Sequence, residues 1–329
     1  MPEKTGDTRR RLLQQAALAA GAAALSAPKS GAQTGEASKN DEPAWKRLFP
    51  PGFRNERIKT TGAEINTVIG GSGPPVLMFH GAPQSLITWR LIAPDLAKEY
   101  TLVMCDLRGY GDSSKPEGGE NHENYSKRAM AQDGVDVMQH LGYERFLMVG
   151  HDRGGRVGRR MAIEHSDRVQ KLAVLDIIPA HYLYSHVNLA FVRAYPHWFN
   201  DLLPSPKPEN DIKAQNEAAL ARATTPVEKE YLRTAATPEA IHAMCEDYRA
   251  SASIDLELDA ADAKAGKKIQ CPLLVLWADK NAVNHIFDVM EAWKPEGVNI
   301  QGKALPGTHS LQESAPKETL AELQQFLRA

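Results

Sequence analysis

The sequence predicts an α/β fold, a mostly parallel sheet flanked by helices with an inserted helical cap. Three observations carry this expectation. Short apolar runs recur along the chain with helix-like segments between them, as strands buried on both faces require. One run, Phe146-Leu147-Met148-Val149, leads into Gly150-His151-Asp152-Arg153-Gly154-Gly155-Arg156, a strand-to-helix turn whose small residues hold an aspartate up at the strand end. The alternation fails over 180–253, a stretch rich in His, Tyr, Trp, Pro and charge that reads as a cap over the strand ends.

At 329 residues the chain can bury a sizeable core, and its formal net charge of −2 gives nucleic acid or an anionic membrane surface no footing as a partner. Cys105, Cys245 and Cys271 are widely spaced and form neither a metal motif nor a disulfide framework. They are expected to pack as small apolar side chains.

The N-terminus reads as an export signal. Thr8-Arg9-Arg10-Arg11-Leu12-Leu13 precedes an Ala/Leu-rich run over 16–25, then Pro28 and the small residues Ser30-Gly31-Ala32. A basic start, a short apolar segment and a small-residue zone predict a twin-arginine signal peptide over 1–32, followed by a leader over 33–52. The apolar segment is too short for a comfortable membrane span. The expectation is a periplasmic or secreted protein with no stable membrane association after signal removal. An amphipathic or disordered extension without an export role is the rival.

The core is expected over 53–179 and 254–329. Residues 53–59 and 64–69, around Thr61-Gly62, form an edge hairpin by pattern. Strands follow at 75–79, 102–105, 146–149, 172–177, 273–277 and about 300–305. Residues 127–141 show helical periodicity up to Gly142, and 317–327 read as the closing helix. Within the cap, 211–223 and 238–248 are helical by the same pattern. Asp106-Leu107-Arg108-Gly109-Tyr110-Gly111-Asp112-Ser113 reads as structural, a glycine-bearing strand-end turn with an Asp–Arg lock.

Chemistry centres on Asp152. A serine in such an elbow attacks carbonyls. An aspartate suits displacement of a leaving group from an sp³ carbon, leaving an ester that water later opens. Opening it needs a base, and His309, in Leu305-Pro306-Gly307-Thr308-His309-Ser310 after the last strand, occupies that place. The imidazolium then formed needs a carboxylate. Asn281, four residues past Trp277, stands where that acid is common but cannot carry charge. Asp176, ending an apolar strand beneath the cap, is preferred to Asp279, because a carboxylate there is costly without a partner. In His80-Gly81-Ala82-Pro83, the Ala82 N–H is expected to join the Arg153 N–H as an oxyanion hole. Arg153 and Arg156 stabilise ionised Asp152 and, facing the cleft, are expected to grip a substrate carboxylate. That geometry selects short 2-halo acids. Arg159 and Arg160 are expected to pair with protein carboxylates.

The strings His151-Asp152-Arg153-Gly154-Gly155-Arg156, Leu175-Asp176-Ile177-Ile178-Pro179, Pro196-His197-Trp198 and Cys245-Glu246-Asp247-Tyr248-Arg249-Ala250 together resemble the fluoroacetate (haloacetate) dehalogenases of the α/β-hydrolase superfamily, from about Phe53 onward. The resemblance implies an α/β-hydrolase fold and conversion of a small halocarboxylate to glycolate and halide, without metal or cofactor. It also implies Asp152 as nucleophile, His309 as base, Asp176 as its acid and a possible homodimer. His197, Trp198 and Tyr248 would bind the halide, and an imidazole, an indole N–H and a phenol O–H are donors suited to a small, strongly hydrated anion. The cap departs from the family: it is short between Trp198 and Tyr248, lacks a further Trp, and is polar over 204–222. A wider pocket for larger halides or longer acids is the consequence.

Two other readings remain. An epoxide hydrolase could use the same Asp-His-Asp set, with paired tyrosines drawn from Tyr182, Tyr184, Tyr195 and Tyr248, although the arginines argue against a neutral substrate. A catalytically silent binding protein is opposed by the intact triad.

Overall fold

The structure is a computed structural model in which residues 43–328 are described. The expected signal peptide at 1–32 and leader residues 33–42 lie outside them. The end of the expected leader is not a tether. Ala44–Leu48 is helical, and Phe49 packs into the core with its ring 5.3 Å from that of Phe53.

Among the described residues, eight strands form one sheet: β1 (Arg54–Lys59), β2 (Glu64–Gly71), β3 (Pro75–Phe79), β4 (Thr101–Cys105), β5 (Phe146–His151), β6 (Val169–Leu175), β7 (Leu273–Ala278) and β8 (Ile300–Leu305). Their order is β1-β2-β4-β3-β5-β6-β7-β8. The hairpin β1–β2 and the β2–β4 pair are antiparallel, and every later pairing is parallel. The central strands are apolar on both faces because both are covered. On β3, Leu77 and Phe79 point to one side and Val76 and Met78 to the other, the period-two alternation of a strand. Helices α1 (Lys127–His140) and α2 (Arg153–Glu164) cover the first face with Val135, Met138, Val157 and Met161. Trp89 joins Leu323 and Phe326 of the closing helix Pro316–Arg328 on the second. Ser126 starts α1 by accepting the Ala129 N–H, an N-cap that satisfies one orphan donor.

Six helices intervene between β6 and residue 253: α3 (Ala180–Ser185), α4 (Leu189–Ala194), α5 (His197–Asn200), α6 (Lys207–Leu220), α7 (Pro226–Ala235) and α8 (Pro238–Ser251). Thr225 and Glu228 form a reciprocal capping box at α7, and Thr237 caps α8. Helix α6 opens four residues earlier than its periodicity suggested, with Pro208 tolerated in the first turn.

Two expectations need correction. Strand β6 covers 169–175 rather than 172–177, because Asp176 takes a left-handed φ of 50° that turns the chain out of the sheet. The Asp–Arg lock is not internal to 106–113. Asp106 instead accepts from the amides of Leu86 and Asp112 and from Asn66 Nδ2, while Arg108 reaches Asp133 on α1 through Nε at 2.6 Å and Nη2 at 2.7 Å. Arg108 and Asp133 are each 2% exposed, so this bidentate pair ties the turn to α1 away from water. The three cysteines are unpaired.

Replacing Asp133 by Ala strands the Arg108 charge in the interior. Urea unfolding is expected to show a loss of about 3–5 kcal/mol, the usual consequence of removing one partner of a buried pair. A loss below about 1 kcal/mol would contradict the lock, being the size of a surface pair.

Candidate active site

Strand β5 runs straight into α2, and Asp152 is the joint. Its φ of 48° and ψ of −116° lie where a side chain is strained, typically by about 1–3 kcal/mol. Backbone bonds hold it there: the Asp152 N–H donates to Leu175 O at 3.0 Å, and Gly155 N–H donates to Asp152 O at 2.9 Å. Gly154 has no room for a side chain, since a Cβ would sit 2.3 Å from the Phe79 carbonyl oxygen. A Cβ on Gly81 would sit 2.5 Å from that of Asp152. The carboxylate therefore rises directly beside the loop after β3, where the Ala82 N–H donates to its Oδ1 at 3.2 Å. The Arg153 amide is the first of α2 and has no acceptor within the helix.

His309 follows β8 and meets both aspartates. Its Nδ1–H donates to Asp176 Oδ2 at 2.7 Å, and its Nε2 lies 3.6 Å from Asp152 Oδ2. Asp176 is buried, accepts the Ala278 amide on Oδ1 at 2.8 Å, and also accepts from Asn281 Nδ2. Asn281 thus braces Asp176, and Tyr195 O–H in turn donates to the Asn281 Oδ1 at 2.7 Å. Asp279 accepts the Gly307 amide at 3.1 Å, steadying the loop that carries His309.

His151 has a part that motif reading missed. Fully buried, it is held neutral, with its pKa pulled down to about 4 by burial and by the neighbouring His309. Its Nε2–H donates to the His309 carbonyl at 3.0 Å. The residue before Asp152 therefore anchors the backbone of His309. A histidine directly before the elbow aspartate was the available signal.

Charge at the site is lopsided. Burial opposes ionisation of Asp152, but His309, His151 and the two arginines outweigh it and bring its pKa to about 2. Burial also opposes the imidazolium of His309, yet the hydrogen bond to Asp176 and the charge of Asp152 raise its pKa above the ordinary 6.5.

The arginines divide their work. Arg156 lines the cavity, its guanidinium 4.4 Å from the Trp198 ring centroid, with Nη2 donating to Ile178 O at 3.2 Å. Its Nε and Nη1 are buried with no acceptor among the described residues. Arg153 does not face the cleft as its position suggested. It lies outside the lining, 1% exposed, with Nη1 paired to Asp247 at 2.9 Å and its guanidinium stacked 3.6 Å over Tyr248. A guanidinium so buried needs a counter-charge, although its Nη2 remains unpartnered. Arg159 and Arg160 pair with Asp259, Glu296 and Asp262, as expected of them.

His197, Trp198 and Tyr248 line the same cavity as Asp152, Arg156 and His309, with a volume of about 410 Å³. The Tyr248 ring lies 5.9 Å from each of the other two rings. Tyr182 and Tyr184 do not line it.

Because Asp176 supplies the strongest upward pull on His309, Asp176→Asn should lower the His309 pKa in an NMR titration. An unchanged value would mean that another group holds the imidazole.

A family model described as the alpha/beta hydrolase fold matches residues 74–300. The chain is 43% identical to a fluoroacetate dehalogenase from Burkholderia sp over 84% of its length and 94% of that protein. It is 29% identical to a soluble epoxide hydrolase from Corynebacterium sp, covering 78% and 91% of the two chains. A solved alpha/beta hydrolase structure from Nostoc sp superimposes with a TM-score of 0.79 at 45% identity, covering 84% of this chain and 98% of that one. An aspartate elbow, a histidine after β8 and relatives of this extent lead to one assignment: the chain is a hydrolase of the alpha/beta hydrolase fold family, belonging within it to the fluoroacetate dehalogenase family.

Proposed function

We propose that the protein hydrolyses haloacetate, fluoroacetate included, to glycolate and halide through an ester on Asp152. The observation that carries this reading is the pair of guanidinium nitrogens Nε and Nη1 of Arg156, without an acceptor among the described residues, on the cavity wall beside an ionised aspartate. Each buried donor left without an acceptor costs about 1–3 kcal/mol. A substrate carboxylate satisfies them, and its α-carbon is then presented to Asp152.

In the first step Asp152 Oδ2 attacks the carbon bearing the halogen, and the halide departs with the bonding pair toward His197, Trp198 and Tyr248. Oδ1 stays at the Ala82 amide. In the second step His309 Nε2 takes a proton from water, whose oxygen adds to the ester carbonyl carbon. The Ala82 and Arg153 amides receive the tetrahedral oxygen, and Asp176 stabilises the imidazolium. Collapse expels glycolate, whose hydroxyl oxygen takes the proton held on His309 Nε2, and Asp152, restored with one oxygen from water, releases its carboxyl proton to solvent. The balance is haloacetate and water to glycolate, halide and a proton. The name of the Burkholderia relative supports the same substrate class.

Ring opening of an epoxide is the second reading, suggested by the Corynebacterium relative. It requires two phenols free to protonate the ring oxygen. Tyr195 already donates to Asn281, and Tyr184 is off the cavity wall. A silent binding role leaves the Asp152, His309 and Asp176 arrangement without a purpose.

His309→Gln incubated with chloroacetate should accumulate one carboxymethyl group on Asp152 by mass spectrometry. Absence of that adduct, in a variant shown to be folded, would remove the mechanism. Arg156→Ala should lower kcat/KM for haloacetate by about 100-fold, the scale for a lost buried charge-assisted pair. In the wild type kcat should fall as pH drops through the His309 pKa, above 6.5, because the protonated imidazole cannot accept the water proton. Alkylation continues there, since Asp152 stays ionised to about pH 2, so trapped ester should build up at low pH in rapid-quench samples.

A further inference from the structure

The cavity is larger than a haloacetate needs. At about 410 Å³ it falls in the roughly 300–1,000 Å³ range of pockets that enclose much bigger ligands. Four polar residues of the cap, Asn200, Asp201, Gln215 and Asn216, are among its lining. Asp201 stands apart from its neighbours. It is 6% exposed, and its backbone N–H donates to His197 O at 2.9 Å, one helical turn beyond the halide-facing histidine. Among the described residues no hydrogen-bond donor or cation is paired with its carboxylate. The nearby cations form their ion pairs with other carboxylates: Arg249 with Glu246 at 2.7 Å and Glu209 at 3.1 Å, and Arg153 through Nη1 with Asp247. Burial pushes the Asp201 carboxyl up to about 6, against the pull of Arg153 and Arg249. A buried carboxylate without a partner is costly, and a cavity wall is where a ligand can supply that partner.

We infer that Asp201 receives a hydrogen-bond-donating group, hydroxyl or ammonium, at the far end of a 2-halo acid longer than haloacetate. This rests on the haloacid reading of the site. The acid's carboxylate goes to Arg156 and its C2 to Asp152, so the product is a 2-hydroxy acid carrying the same terminal donor. An acid ending in a methyl group leaves Asp201 unsatisfied and is disfavoured for that reason.

The test compares 2-chloro-3-hydroxypropionate, 3-amino-2-chloropropionate and 2-chlorobutanoate, together with their one-carbon-longer homologues, by chloride release. The wild type should favour the donor-bearing acids over the methyl isostere by about tenfold or more in kcat/KM, the scale of a hydrogen bond to a charged group. Asp201→Leu should erase that ratio, and Asp201→Asn should keep the hydroxyl preference while losing the ammonium one. Equal handling of isosteres by the wild type, or an intact ratio in Asp201→Leu, overturns the inference. If no chloro acid releases chloride, the haloacid reading has failed. The Asp201 assignment is then read from calorimetry of the unreactive acids 3-hydroxypropionate, β-alanine and butyrate. Tighter binding of the first two by about tenfold in the wild type, lost in Asp201→Leu, supports it. Indistinguishable affinities overturn it.

Discussion

Two aspartates in left-handed backbone, at the ends of neighbouring strands, are the constraint on which the site depends. Asp152 and Asp176 have φ of 48° and 50°. Each is held by a backbone hydrogen bond to the strand beside it, Asp152 N–H donating to Leu175 O at 3.0 Å and Asp176 N–H to Leu276 O at 2.7 Å. A residue in this conformation leaves the sheet abruptly, so its side chain stands clear of the strand edge instead of lying along it. His309 is then bracketed between two carboxylates that differ in surroundings. Asp176 is packed and fully hydrogen-bonded, while Asp152 borders open space. The strain is sustained because β5, β6 and β7 are buried on both faces and hydrogen-bonded on both edges.

The second organising element is a balance of buried charge. Asp247 is fully buried and accepts from Tyr110 O–H at 2.5 Å, from Arg153 and from Lys127. Lys127 also lies 3.4 Å from Asp255. This network balances the charge of a guanidinium that sits directly against Tyr248. Arg156 has no such carboxylate. Its charge is shared between the Trp198 face, the Ile178 carbonyl and Asp152, which makes it the more dependent of the two on what enters the cavity.

Much of this was legible in the residues. The strands and the elbow are continuous in sequence, so periodicity and glycine placement find them, and β3 and β8 fall where the pattern puts them. Asp176 was reachable because a charged residue ending an apolar strand demands a partner. What pattern cannot reach is pairing across the fold. Arg108 with Asp133, and Arg153 with Asp247, join residues 25 and 94 positions apart and depend on which helix faces which turn. Packing of Phe49 was hidden for the same reason, since the segment before it has a leader-like composition.

The bond from His151 to the His309 carbonyl has a dynamic implication. His309 is laced to the strand that bears Asp152, and both belong to the core. The cavity wall supplied by His197, Trp198 and Tyr248 belongs to α5 and α8 instead, so movement of those helices reshapes the wall without passing through the His151–His309 bond.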